Sequence, residues 1–122
     1  MIAHLVLFTP RVSLDSAERE GLVAALEHAC RDIPSIRRVR IGRRRVLGQA
    51  YDSLSSVEFE FAAILEFDTE ADLRAYLDHP AHVELGRRFR SLADVAVAHD
   101  FEIVDAAEIR AIADPTPHLG SA

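Results

Sequence analysis

Between Val57 and Asp68 every second residue is apolar: Val57, Phe59, Phe61, Ala63, Leu65 and Phe67 share one face of an extended chain. Glu58, Glu60 and Glu66 lie on the other face, whose centre, Ala62 and Ile64, is apolar as well. A helix would scatter this pattern around its circumference. The segment therefore predicts a strand with one face fully buried and the other buried at its middle. With only 122 residues the chain makes one domain, so the remaining segments must supply the cover.

Those segments alternate between strand-like and helix-like. Met1–Thr9 (MIAHLVLFT) is apolar on both faces apart from His4, which suits a central strand. From Asp15 to Asp32, Leu22, Ala25, Leu26, Ala29 and Ile33 recur at helical spacing, Asp15 and Glu18 form a capping box, and Pro34 stops the run. Gly21 weakens this helix, and predicts either a frayed start or a close approach to a strand. Ile36–Val46 alternates Val39 and Ile41 with Arg38 and Arg40 and reads as a half-exposed edge strand, and Gly48–Ser56 as the loop to the next strand. Thr69 and Asp72 cap a short helix that reaches Asp78. His79-Pro80 then opens a second helical segment carrying Val83, Phe89 and Leu92 inward, and Val95–Val104 is the last strand. Beyond Asp105, Ala, Pro115 and Pro117 predict a short ordered stub and a mobile tail over 106–122.

Strand, helix, strand, strand, helix, strand is the order of the ferredoxin-like split unit, an α+β fold with a four-stranded antiparallel sheet and helices on one face. The other face stays bare and apolar. A domain this small does not leave such a face in water, so a face-to-face homodimer is expected.

Hydrophobic residues make up 49% and charged residues 28%, enough to build a core without disulfides or metals. Basic residues number 14 against 20 acidic, a net charge of -6, which disfavours nucleic acid or an anionic membrane as partner. Arg37, Arg38, Arg40, Arg43, Arg44 and Arg45 crowd one segment, but no aromatic residues interleave to stack on bases, and a solvated edge strand explains them. One or two of them remain candidates for the phosphate of a carrier-linked or CoA-linked substrate. Cys30 has no cysteine partner and sits among apolar neighbours as a small core residue. No leader precedes Val6 and no apolar run spans a bilayer, so the expected location is the cytoplasm.

Three stretches carry a family resemblance: MIAHLVLF at Met1–Phe8, IPSIRRVRIGR at Ile33–Arg43, and AYLDHPAH at Ala75–His82. Together they resemble the stress-responsive A/B barrel (Dabb) domain over about Met1 to Asp105, and the combination of a strand-opening His with Tyr-x-x-His-Pro-x-His is its most specific part. The resemblance implies a dimeric α/β barrel. Through the olivetolic acid cyclase-type polyketide cyclases of that family, it also implies a cofactor-free ring closure, isomerisation or lyase reaction on a carbonyl substrate. His82 is then the implied base, Tyr76 the hydrogen-bond donor or positioning group, and His4 the anchor on the sheet floor. Where many members read Tyr-Thr-His, this chain reads Phe59-Glu60-Phe61, which implies an apolar floor that binds an aromatic or alkyl group through Phe59 and Phe61.

The same residues admit a structural reading. Tyr76 has ordinary core spacing, His79-Pro80 makes a helix junction, and His4 suits a hydrogen-bonded core position. The competing function is accordingly a non-catalytic dimer that binds a small hydrophobic ligand or serves in stress tolerance. A three-His metal site from His4, His79 and His82 is the weaker option, since no carboxylate lies in register, and no metal is expected.

Overall fold

Pro10 has no amide hydrogen to give to a ladder, and β1 (Ile2–Pro10) ends on it. Five residues later Asp15 caps α1 (Ser16–Asp32): its carboxylate accepts from the Glu18 amide at 2.8 Å, and the Glu18 carboxylate accepts from the Asp15 amide at 3.2 Å. The edge strand β2 (Arg38–Arg43) and β3 (Phe61–Phe67) follow, separated by a loop holding the short 3-10 turn Ala50–Ser53. Next come α2 (Glu70–Asp78), capped by Thr69, then α3 (Pro80–Leu92) and β4 (Ala93–Glu102). The computed structural model describes residues 1–113. Of the expected tail, 106–113 form a 3-10 turn and the one-turn α4 (Arg110–Ala113), and the rest lies outside the described residues.

The four strands form one antiparallel sheet in the order β2-β3-β1-β4, with β1 central as its two apolar faces require. Register places His4 beside Leu65 on one side and Asp100 on the other. Ile2, His4, Val6 and Phe8 face the helices together with Phe61, Ala63, Leu65 and Phe67. The fully buried Phe67 packs with Leu22 and Ala29 of α1, Leu73 of α2 and Leu85 of α3. Among the described residues no helix covers the opposite face, which presents Leu5, Leu7, Ile64, Val97 and Phe101, with Ile64 41% and Phe101 50% exposed.

Four expectations need adjustment. Strand β3 starts at Phe61, not Val57, because the Thr9 hydroxyl takes the place of a ladder partner there: it donates to the Glu58 carbonyl and accepts from the Glu60 amide. Strand β2 is likewise shorter than Ile36–Val46. Val83 points outward at 58% exposure, since α3 buries the stripe Ala81, Leu85 and Leu92, and Val83 lies about 200° round the helix from Ala81. Gly21 lies against a helix, not a strand: a Cβ there would meet the Arg88 guanidinium of α3 at 3.0 Å.

Candidate active site

The break between α2 and α3 builds the site. In a continuous helix the Ala81 amide would bond to the Leu77 carbonyl. Pro80 interrupts that path, and the amide of Ala81 instead donates to His79 Nδ1 at 3.0 Å, so His79 caps α3. The Leu77 carbonyl is left without its helical donor. His82 supplies one: its Nδ1 lies 3.0 Å from that oxygen. A carbonyl only accepts, so Nδ1 carries the proton and Nε2 keeps its lone pair. The His-Pro-Ala-His sequence is thus a local device that closes a helix junction and sets the tautomer of its second histidine.

The same junction sets Tyr76, in the last turn of α2, against His82, the two rings tilted by 54° with centroids 4.5 Å apart. Tyr76 also meets His4 at 5.8 Å and Phe67 at 5.3 Å. It is 4% exposed, yet its hydroxyl makes no hydrogen bond among the described residues. The ring is buried while the hydroxyl oxygen itself is not sealed off, so it is free to meet a ligand in the cavity.

His4 rises from the centre of the sheet, 6% exposed, and its Nδ1 is 2.5 Å from Asp100 Oδ1 on the neighbouring strand. The carboxylate accepts, fixing the imidazole and leaving Nε2 as its remaining nitrogen.

These three rings line one cavity of about 300 Å³ between sheet and helices. Its other walls are almost wholly apolar, among them Leu26 and Ala29 of α1, Val39 and Ile41 of β2, and Leu85 and Phe89 of α3. Burial, aided by the neighbouring His4, holds the His82 imidazole below its ordinary pKa against the opposing hydrogen bond to Leu77. Burial also pushes the Tyr76 phenol well up, with a smaller push from Cys30, so Tyr76 keeps its proton. Cys30 lines the cavity too, its thiol raised by burial and hence protonated. The cavity therefore presents one neutral imidazole with a bare nitrogen, one phenolic donor and one carboxylate-anchored imidazole.

Of the residues expected at the site, His4, Tyr76 and His82 are brought together. Phe59 and Phe61 are not: Phe61 stacks on Phe8 with centroids 5.5 Å apart, two residues along β3 from the cavity wall at Ala63, and both rings line a separate concavity. His79 is occupied by the Ala81 amide, and among the described residues no cluster of three His, Cys, Asp or Glu is placed to hold a metal. Asp100 was not foreseen. Its signal is faint: it lies in the row Ala96, Ala98, Asp100, Glu102 on the helix-facing side of β4, while the apolar alternation draws attention to Val95, Val97 and Phe101.

The sequence model of the stress responsive A/B barrel domain matches residues 2–103. No curated protein matches significantly. Among solved structures, a dimeric ferredoxin-like protein of unknown function from Thermobifida fusca is 26% identical, with a TM-score of 0.64 over 84% of this chain and 90% of that one. A Dabb family protein from Mesorhizobium loti is 21% identical, with a TM-score of 0.67 over 84% and 96%. The hydroxynitrile lyase of Passiflora edulis is 18% identical, with a TM-score of 0.71 over 86% and 94%, and shares the fold. No helix among the described residues is long and apolar enough to cross a membrane. With the β-α-β-β-α-α-β order, the strand-opening His4 and the Tyr76–His82 junction all in place, the chain belongs to the stress responsive A/B barrel (Dabb) family.

Proposed function

We propose that the protein is a homodimer in which each subunit performs cofactor-free acid–base chemistry on a carbonyl substrate, of the cyclase, isomerase or lyase type. One observation carries this reading: the partnerless hydroxyl of the buried Tyr76 and the imidazoles of His4 and His82 converge on a single, otherwise apolar cavity. His82 Nε2 takes a proton from the carbon beside the carbonyl, and the Tyr76 hydroxyl donates to the oxygen as negative charge develops on it. His4, held by Asp100, supports the same oxygen or a second carbonyl from the sheet side. The apolar walls select a substrate with an alkyl or aryl body. Burial helps on both counts, keeping the imidazole neutral and the phenol protonated near pH 7.

Dimerisation is supported by the uncovered apolar face at Leu5, Leu7, Ile64, Val97 and Phe101, and by the dimeric state of the Thermobifida fusca relative. The alternative reading, a dimer that binds a hydrophobic ligand without turning it over, draws on the same apolar walls. Deuteration of 2-octanone at its α-carbons in D2O, followed by proton NMR, separates the two. A base in this cavity accelerates exchange beyond an equal concentration of free imidazole. If neither 2-octanone nor a panel of β-keto thioesters reacts faster than with imidazole, the ligand-binding reading replaces the catalytic one.

A further inference from the structure

A second concavity, about 470 Å³, lies where β2 and β3 meet the loop between them. It shares no lining residue with the first. The β2–β3 register explains why: the pair Ile41–Ala63 borders the first cavity, and the pair Arg43–Phe61, one side-chain repeat or ~7 Å further along, borders the second. Its apolar wall consists of Val57, Phe59 and Phe61, with Leu7 and Ala62 at the border of the uncovered sheet face assigned to the dimer, and its two cations are Arg43 and Arg44.

Three of the arginines on and beside the edge strand are held by ion pairs. Arg37 pairs with Asp68 at 3.3 Å, Arg38 with Glu66 at 3.9 Å, and Arg44 with Glu58 at 3.7 Å while donating to the Asp52 carbonyl at 3.3 Å. Arg43, like Arg40 and Arg45, makes no ion pair or side-chain hydrogen bond among the described residues, and of these three it alone lines the concavity. Glu58 pairs with Arg44. An unpaired guanidinium beside two phenylalanine rings on a chain of net charge -6 is a local inversion of the molecule's field. Guanidinium presents a planar fork that matches a carboxylate or phosphate, and the rings offer an apolar or stacking surface next to it.

We infer that this concavity binds a small ligand in which a carboxylate or phosphate is attached to an apolar, ring-sized body, with Arg43 taking the anion and Phe59 and Phe61 the body. The inference stands apart from the chemistry assigned to the first cavity. Three fluorescent probes of one shape test it: 2-naphthoate, 2-naphthyl phosphate and the neutral 2-naphthamide, read against a chain with no Trp and two Tyr. At least one anionic probe is expected to bind about tenfold or more tighter than the amide, and the tighter of the two identifies the anion preferred. Arg43→Gln erases that preference, Phe59→Ala weakens all three probes, and His82→Ala changes none. Equal affinity for all three probes would overturn the inference, as would a preference that survives Arg43→Gln. Loss of binding in His82→Ala would place the probes in the first cavity. A shift of the monomer–dimer equilibrium in Arg43→Gln would assign the surface to a second copy of the chain, and either result overturns the site.

Discussion

His82 has two duties in this account, and one substitution separates them. Nδ1–H satisfies the Leu77 carbonyl at 3.0 Å, and Nε2 supplies the base. His82→Ala removes both. It forfeits a hydrogen bond worth about 1 kcal/mol and leaves a carbonyl short of a donor, for a total of roughly 1–3 kcal/mol. In a domain of this size 1 kcal/mol corresponds to about 4 °C in Tm, so His82→Ala should melt roughly 4–12 °C lower. His82→Asn places an amide N–H near the position of Nδ1–H and offers no basic nitrogen. It should melt within about 4 °C of wild type yet lose roughly 10²–10⁴ in turnover, the usual contribution of a positioned general base. That loss corresponds to about 3–5 kcal/mol of barrier. Calorimetry and the α-deuteration assay on the same samples read both quantities. Should His82→Asn keep most of its turnover, the base is elsewhere. Should it melt as low as His82→Ala while doing so, the histidine is a structural residue and nothing more.

Three further outcomes follow from other residues. Because the Tyr76 hydroxyl has no partner among the described residues, Tyr76→Phe should leave Tm unchanged or slightly raised while turnover falls about tenfold or more; an appreciable drop in Tm would show that the hydroxyl is structural. Burial lowers the folded His82 pKa below its unfolded value near 6.5, so its contribution to stability is fully present above about pH 6.5 and is lost as pH falls through the folded pKa. His82→Gln should flatten that part of the stability profile, and the acid limb of kcat/KM in wild type should fall below pH 6.5; an unchanged slope or a limb above 7 contradicts the burial argument. On the uncovered face, Ile64→Lys should raise the dimer dissociation constant by about 100-fold or more in light scattering or sedimentation, since a buried Ile contributes about 1.5–3 kcal/mol and a buried charge costs more. A dimer untouched by Ile64→Lys uses another surface.

What the chain discloses before its structure is known follows the range of the interactions involved. The caps at Asp15 and Thr69, the Pro80 break and the alternation around Phe67 act within a few residues, and each is legible in the order of side chains. The grouping of Tyr76 and His82 is nearly as local, because both flank one helix junction. The reason for His82's tautomer is not legible, since it depends on which carbonyl Pro80 leaves unpaired. The His4–Asp100 pair joins residues 96 positions apart through strand register, and no periodicity in either strand announces it. Phe59 and Phe61 fell outside the cavity for a related reason: the alternation of β3 is correct, but the Phe61 ring is taken up against Phe8, which Phe89 of α3 covers, and that pairing comes from strand register and packing. Val83 shows the opposite limit, an apolar residue that a helical stripe two positions away leaves in solvent.

The helix junction holds His82 neutral, protonated on Nδ1, with Nε2 bare. Long-range proton–nitrogen correlation NMR on 15N-histidine-labelled protein at pH 7.5 reads that state directly. His82 Nδ1 is expected at the shift of a protonated nitrogen and Nε2 at the shift of an unprotonated one. An Nε2–H tautomer or an imidazolium at that pH would contradict it, because neither leaves a base on the nitrogen that Leu77 does not occupy.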